Sequence, residues 1–312
     1  MTIERVATNS QTTYMLSQIA KANAKLQQSS DQVASGKVSN DYAGIGDKTA
    51  ALEAARAAAD RAAAYATNTQ SAATQTDLQD TQLTTLSGLA SQLKTAITSA
   101  TADSDGTGLM TTASSIFDQA AAILNSTDAN GSYLYAGQTS DTKPFTATSL
   151  SDLDSGTAST WFTNGTVKKS VQVGDGQTAQ IGVLASDMGT SLMTALKSLY
   201  DQNSASSLSG SLTTAQTDSL TSTVLPQVND ATTSLNSITA QNGDTYSSLK
   251  STVTNQQSLQ TLYKGFVSDI EDSDMATALT NMSNNQTALQ AVLTVTSKLN
   301  QLSLLNYLPT TS

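Results

Sequence analysis

Apolar residues in this chain fall mostly at alternating spacings of three and four. Near the N-terminus Met15, Ile19, Ala22, Leu26 and Val33 follow that rule, with Ile3 and Val6 upstream. This spacing predicts a helix with one narrow apolar stripe. The stripe stops at Ser35-Gly36-Lys37, where Gly36 fits a helix C-cap, and residues 40–46 read as loop. Asp47 is expected to cap a second helix through the Ala-rich KTAALEAARAAADRAAAYA, and the period continues through Leu86, Ala90, Leu93 and Ile97. Ala has the highest helix propensity, so this helix is expected to exceed about forty residues. A turn at DSDGTG precedes a third, shorter helix through Ile116, Ala120 and Ile123, which ends before Asp128-Ala129-Asn130-Gly131.

From Thr139 to Ala185 the pattern changes. Apolar positions alternate along residues 167–173, Gly174-Asp175-Gly176 supplies a turn, and Ala179, Ile181 and Val183 alternate after it. Period two on both sides of such a turn predicts a β-hairpin. Phe145, Trp161 and Phe162 are read as the core of this insertion. Helical spacing returns at Leu184, Met188, Leu192, Ala195 and Leu199, and again from Leu220 to Ile238, where Pro226 predicts a kink or a helix start near Val224. The last stripe runs Met275, Leu279, Met282, Gln286, Leu289, Leu293, Thr296, and Leu299 and Leu302 carry it on. Stripes at both ends, each too thin to fold alone, would most simply bury one another.

The expected fold class is therefore mainly α. It is an elongated bundle of long helices with paired N- and C-terminal coiled-coil segments and a small inserted β domain. The expected division is residues 1–45 with 265–312 as a terminal helical assembly domain, 46–138 with 186–264 as a helical rod, and 139–185 as the insertion.

Composition narrows the chemistry. The 312 residues include no His and no Cys, which excludes Ser-His and Cys-His nucleophile pairs, thiolate redox chemistry and the usual zinc ligands. Fifteen Lys and Arg against 25 Asp and Glu give a net charge of -10, which opposes a phosphate backbone, so no nucleic-acid partner is expected. Aromatics make up 4%, too few for a thick enzyme core. No apolar run reaches the roughly 20 residues of a membrane span, so no membrane partner is expected, and charges in MTIERVATNS stand where a Sec signal would be apolar.

Candidate sites yield little. Asp103-Ser104-Asp105-Gly106 opens like a calcium loop, but Ser114 stands where the bidentate Glu belongs, so a surface turn is expected. The cluster Asp269 to Asp274 reads as a helix cap before the last stripe, with cation binding as the alternative. Gly36-Lys37 and Gly44-Ile45-Gly46 lack the remainder of a phosphate loop or a dinucleotide fingerprint. Asp152, Asp154 and Asp175 of the insertion leave open a glycan-binding or glycoside-cleaving protein, without a spacing that marks a cleft. No catalytic, cofactor or metal residue is assigned.

Three segments resemble the flagellin superfamily. DIEDSDMATALTNMSNNQTALQAVLTVTSKLNQLSLLNYL (Asp269 to Leu308) is similar to its C-terminal helix, and LQQSSDQVASGK (Leu26 to Lys37) to its N-terminal helix, although NDYAGIGDKTA diverges. Asn130-Gly131-Ser132-Tyr133-Leu134-Tyr135-Ala136-Gly137 with Thr142-Lys143-Pro144-Phe145, and the tail Leu302 to Leu308, resemble the hook-associated branch more than the filament branch. The resemblance spans about half the chain. It implies a secreted structural subunit, exported unfolded through the flagellar type III apparatus with an export chaperone, and packed between hook and filament. Its partners would be other copies of itself and adjacent hook-associated proteins or flagellin. A short filament flagellin is the alternative. The implied assembly interface is Ile3, Val6, Ile19, Leu26, Val33, Met275, Leu279, Met282, Leu289, Leu293, Leu299, Leu302, Leu305, Tyr307 and Leu308.

Overall fold

Long helices account for most of the chain, as the stripes predict. The structure, a computed structural model, describes residues 2–154 and 156–305, and the side chains of residues 10–154, 156–157, 159–299 and 301. In chain order the helices are α1 (Thr2–Ser35), a single turn α2 (Tyr42–Ile45), α3 (Thr49–Asp103), α4 (Leu109–Leu124), a single turn α5 (Ala158–Trp161), α6 (Ala185–Ala205), α7 (Thr214–Ser219), α8 (Leu225–Glu271) and α9 (Met275–Leu305). Strands β1 (Lys169–Gly174) and β2 (Gln177–Ile181) form one antiparallel hairpin. The chain divides into two compact units, residues 1–61 with 259–312 and residues 62–258.

Local chemistry sets the breaks. Gly36 ends α1 at φ 71°, a left-handed conformation that glycine adopts without penalty. The stretch read as loop after it contains α2, whose first turn is capped by Asp41 accepting from the Gly44 N–H at 2.8 Å. Asp47 lies in a 3-10 turn (Gly46–Lys48) ahead of α3 and so does not take the cap position. The helix start expected near Val224 is found at Leu225, one residue before Pro226, although it follows directly on another helical turn. A π turn at Leu220–Val224 precedes α8, and the Leu225 N–H reaches back five residues to the Leu220 carbonyl. The wider turn makes room for a proline ring that would otherwise meet the carbonyl four residues earlier.

The second unit holds the main core. Leu83, Leu86, Leu93 and Ile97 of α3 pack with Ile116, Phe117 and Leu124 of α4, Leu192, Leu196 and Leu199 of α6, and Val228 and Leu235 of α8. The insertion has no core of its own. Phe145, Leu153, Trp161 and Phe162 belong to this same cluster, with ring centroids 5.9 Å apart for Phe117 and Phe145 and 5.1 Å for Phe145 and Phe162. So short a segment buries little surface by itself, and its aromatics gain burial by joining the helices' interior. Asn125 ties the two together, its side-chain amide donating to the Phe145 carbonyl and its carbonyl accepting the Phe145 N–H, each at 3.0 Å. The hairpin packs separately, placing Val173 and Ile181 against Ala72, Ala73 and Leu249.

Candidate assembly interface

In the first unit α1 and α9 pair along their lengths. They run antiparallel: Asn285 donates to the Lys25 carbonyl and the Ser29 hydroxyl, both at 3.2 Å, while Ser273 donates to the Gly36 carbonyl at 2.8 Å. On α1 the half-buried apolar positions are Met15, Ile19, Ala22, Leu26 and Val33, with Ser29 buried among them. On α9 the covered positions are Ala278, Met282, Asn285, Leu289, Val292, Thr296 and Leu299, again alternating four and three. Asn285 against Ser29 is a polar layer in an otherwise apolar seam, the device by which coiled coils fix register.

The predicted interface residues separate into three groups. Ile19, Leu26, Val33, Met282, Leu289 and Leu299 lie half-buried in the α1–α9 seam. Met275, Leu279 and Leu293 do not, being 42%, 48% and 47% exposed. They mark a second stripe, one residue out of phase with the first, that shares Met282, Leu289 and Thr296 with it. The side chains of Ile3, Val6, Leu302 and Leu305, and the whole of Tyr307 and Leu308, lie outside the described residues. Among the described residues, thirteen large apolar side chains are exposed, and eleven of them are in the first unit. Lys298 is the sole charge in the 31 residues of α9.

A charged node holds the end of this pair, and the sequence reading missed it. Glu271, the last residue of α8, is 9% exposed at its side chain and accepts from Lys37 Nζ and, at 2.6 Å, from the Arg56 guanidinium. Arg56 also reaches Glu53 at 3.3 Å, and the Tyr42 hydroxyl donates to Glu53 at 2.7 Å. The Lys37 hydrogen bond first, then that from Arg56, holds the Glu271 carboxyl below its ordinary range, against the opposing effect of burial. The backbone closes the same junction: Val38 donates to the Glu271 carbonyl at 2.7 Å, and Lys37 bridges to Asp272. Glu271 follows Val267 by four and precedes Asp274 and Ala278 by three and seven. A carboxylate in stripe phase was the available signal, since such a position needs a cationic partner.

The other candidates resolve as local structure. Asp274 caps α9, accepting from the Ala276 N–H at 2.9 Å and the Thr277 hydroxyl at 2.9 Å. Asp105 accepts from the Thr107 N–H and hydroxyl, at 2.9 and 2.6 Å, within a tight turn. Asp152 accepts from Thr148 at 2.7 Å and from Ser149, which pulls its pKa to about 2. No group of three potential metal ligands occurs among the described residues.

The C-terminal helices match a known family: residues 225–308, which span α8 and the described part of α9, fit the bacterial flagellin C-terminal helical region. Two solved structures share the fold. A putative flagellar hook-associated protein from Vibrio parahaemolyticus aligns at TM-score 0.61 and 15% identity, covering 74% of this chain and 99% of that one. FlgL of Bacillus cereus aligns at TM-score 0.53 and 13% identity, covering 69% and 98%. None of the curated proteins matches the sequence. The chain therefore shares its fold with these two flagellar proteins, and the segment similar to flagellin contains Glu271, the α8–α9 break and the exposed stripe of α9.

Proposed function

We propose that this protein is a structural subunit of the bacterial flagellum that joins hook to filament through its terminal helices. The observation that carries the reading is the unequal distribution of exposed apolar side chains. Among the described residues, eleven of thirteen lie in the unit built from the two ends of the chain, and a concentration of exposed apolar side chains in one unit is what an association face requires. The segment similar to the flagellin C-terminal region includes the described part of α9, and the fold shared with a putative hook-associated protein and with FlgL supports the junction position.

On this reading the subunit is a secreted, extracellular component with no enzymatic role. Its partners are other copies of itself, in a ring or helical array, and the adjacent hook-associated proteins or flagellin. An export chaperone would cover the apolar termini before secretion. The match to a flagellin region also favours a second reading, a filament subunit that polymerises without limit. Immunogold labelling of intact flagella separates the two. Label confined to the hook end of the filament is expected, and label along the whole filament would replace the junction reading with the second one.

A further inference from the structure

The ends of α1 and α8 stop at one place, and neither stop is complete without the other. Gly36 ends α1 by local conformation, but α8 is followed after only three residues by α9, and those residues carry no proline or glycine to forbid a continuous helix. The Asp274 cap starts α9 locally, and the remaining contacts that hold the break open are supplied across the chain. The Gly36 carbonyl accepts from Ser273, the Val38 N–H donates to Glu271, and the buried Glu271 carboxylate is shared between Lys37 and Arg56. One carboxylate joins the segments around Lys37 and Arg56 to a third that lies more than two hundred residues further along the chain.

We propose that the Lys37–Glu271–Arg56 node is a clasp that holds or releases α1 and α9 as one body. With the clasp closed, the break between α8 and α9 is fixed and the antiparallel seam forms in register. With it open, Glu271 has no counter-charge at a covered position, the break loses its partner strand, and both terminal helices leave together. The other charged or titratable groups at the node are Glu53 and Tyr42, which face Arg56, and Asp272, which accepts from Ser268. Lys37 and Arg56 are 46% and 36% exposed, so the clasp is open to screening by salt. That the clasp regulates assembly rests on the function proposed above; its action in the free subunit does not.

Hydrogen exchange on the full-length monomer tests it, reading α1 (residues 10–35), α9 (275–299) and, as a control, the core stretch 83–100. Glu271→Gln is expected to speed exchange in α1 and α9 together by roughly tenfold, the loss of hydrogen bonds to a charged group, and to leave 83–100 unchanged. The triple reversal Lys37→Glu, Arg56→Glu, Glu271→Lys, made together with Glu53→Gln so that no carboxylate faces the one introduced at position 56, is expected to restore protection. Raising salt from 0.05 to 1 M (both roughly, bracketing strong and weak screening) should loosen α1 and α9 in the parent chain and not in Glu271→Gln. Leu26→Ala, which weakens the seam without touching the node, should loosen both helices and keep that salt response. Unchanged exchange in Glu271→Gln, loosening of one helix alone, or a triple reversal that stays unprotected would each overturn the clasp. Polymerisation of the same variants reads the assembly role separately: a Glu271→Gln chain with loosened termini that still polymerises at the parent concentration would keep the clasp and break its link to assembly.

Discussion

The exposed stripe of α9 and the covered seam beside it make opposite demands on a substitution. Met275, Leu279, Leu293 and Val295 are 42%, 48%, 47% and 50% exposed, so close to half of each side chain has yet to leave water. Full burial of such a side chain is worth about 1.5–3 kcal/mol, which leaves about 0.7–1.5 kcal/mol for each to gain on association, or about 3–6 kcal/mol for the four. Replacing all four with Gln or Ser should therefore raise the critical concentration for polymerisation by about two to four orders of magnitude, at 1.4 kcal/mol per tenfold. Because none of the four lies in the α1–α9 seam, the monomer's thermal midpoint should stay put, as surface substitutions usually change stability by no more than about 0.5 kcal/mol. Sedimentation of polymer against total protein gives the critical concentration, and circular dichroism gives the midpoint. A critical concentration unchanged within threefold would show that this stripe faces solvent in the assembly and would refute the reasoning. A fall in the monomer midpoint of many degrees would show that the stripe is buried within one chain.

Phe145→Ala empties a fully buried site between Phe117 and Phe162 and should cost about 3–5 kcal/mol, lowering the second unit's midpoint by about 6–20 °C in calorimetry. Excision of residues 139–185 should likewise lose stability and helical circular dichroism, since their aromatics line the helices' core. Gly106→Ala should destabilise by about 1–3 kcal/mol in urea titration, because a Cβ there would stand 2.0 Å from the Leu208 carbonyl oxygen, and backbone cannot rotate aside as a side chain can. Asp152 should titrate by NMR near pH 2, and Thr148→Val should raise that midpoint. Its folded pKa is depressed, so its contribution is present above the unfolded value near 3.8 and is lost as pH falls through about 2; stability independent of pH across that window in the parent chain would count against the assignment.

What the sequence disclosed was whatever a short window determines. The stop at Gly36, the unbroken α3, the hairpin turn at Gly174 to Gly176 and the cap at Asp274 each follow from propensity or from a side chain bonding its own backbone. The phase of α9 was hidden for a different reason. Met282, Leu289 and Thr296 belong to both of its stripes, and the bulkier residues, Met275, Leu279 and Leu293, lie on the one that α1 leaves uncovered. Hydrophobicity alone selects that stripe, whereas the choice of Ala278, Asn285 and Val292 for the seam depends on Ser29 and the close approach of α1. Glu271 was read as one acid among several because its partners Lys37 and Arg56 are brought to it only by the fold. The aromatics of the insertion looked self-contained for the same reason, Phe117 being an apolar residue on another element.

The seam of α3 shows how one periodic pattern can carry two kinds of packing. From Leu83 to Ile97 its covered positions are mostly Leu and Ile, each filling space between α4, α6 and α8. From Ala62 to Thr76 they are Ala and Thr, and a methyl or hydroxyl removes far less apolar area from water than a Leu side chain. Thr69 and Gln79 are fully buried there with side-chain atoms that lack a hydrogen-bond partner among the described residues, which lowers the return further. The hairpin lies against this poorer stretch. Val173 and Ile181 cover Ala72, Ala73 and Leu249, Gln256 donates to the Val173 carbonyl at 2.9 Å, and Asn242 donates to the Thr76 carbonyl at 2.9 Å. Small residues let the helices approach closely, and the two strands supply the apolar area that the small residues do not. The insertion is therefore not an appendage to the helices: its loops complete the thick core, and its hairpin covers the thin one.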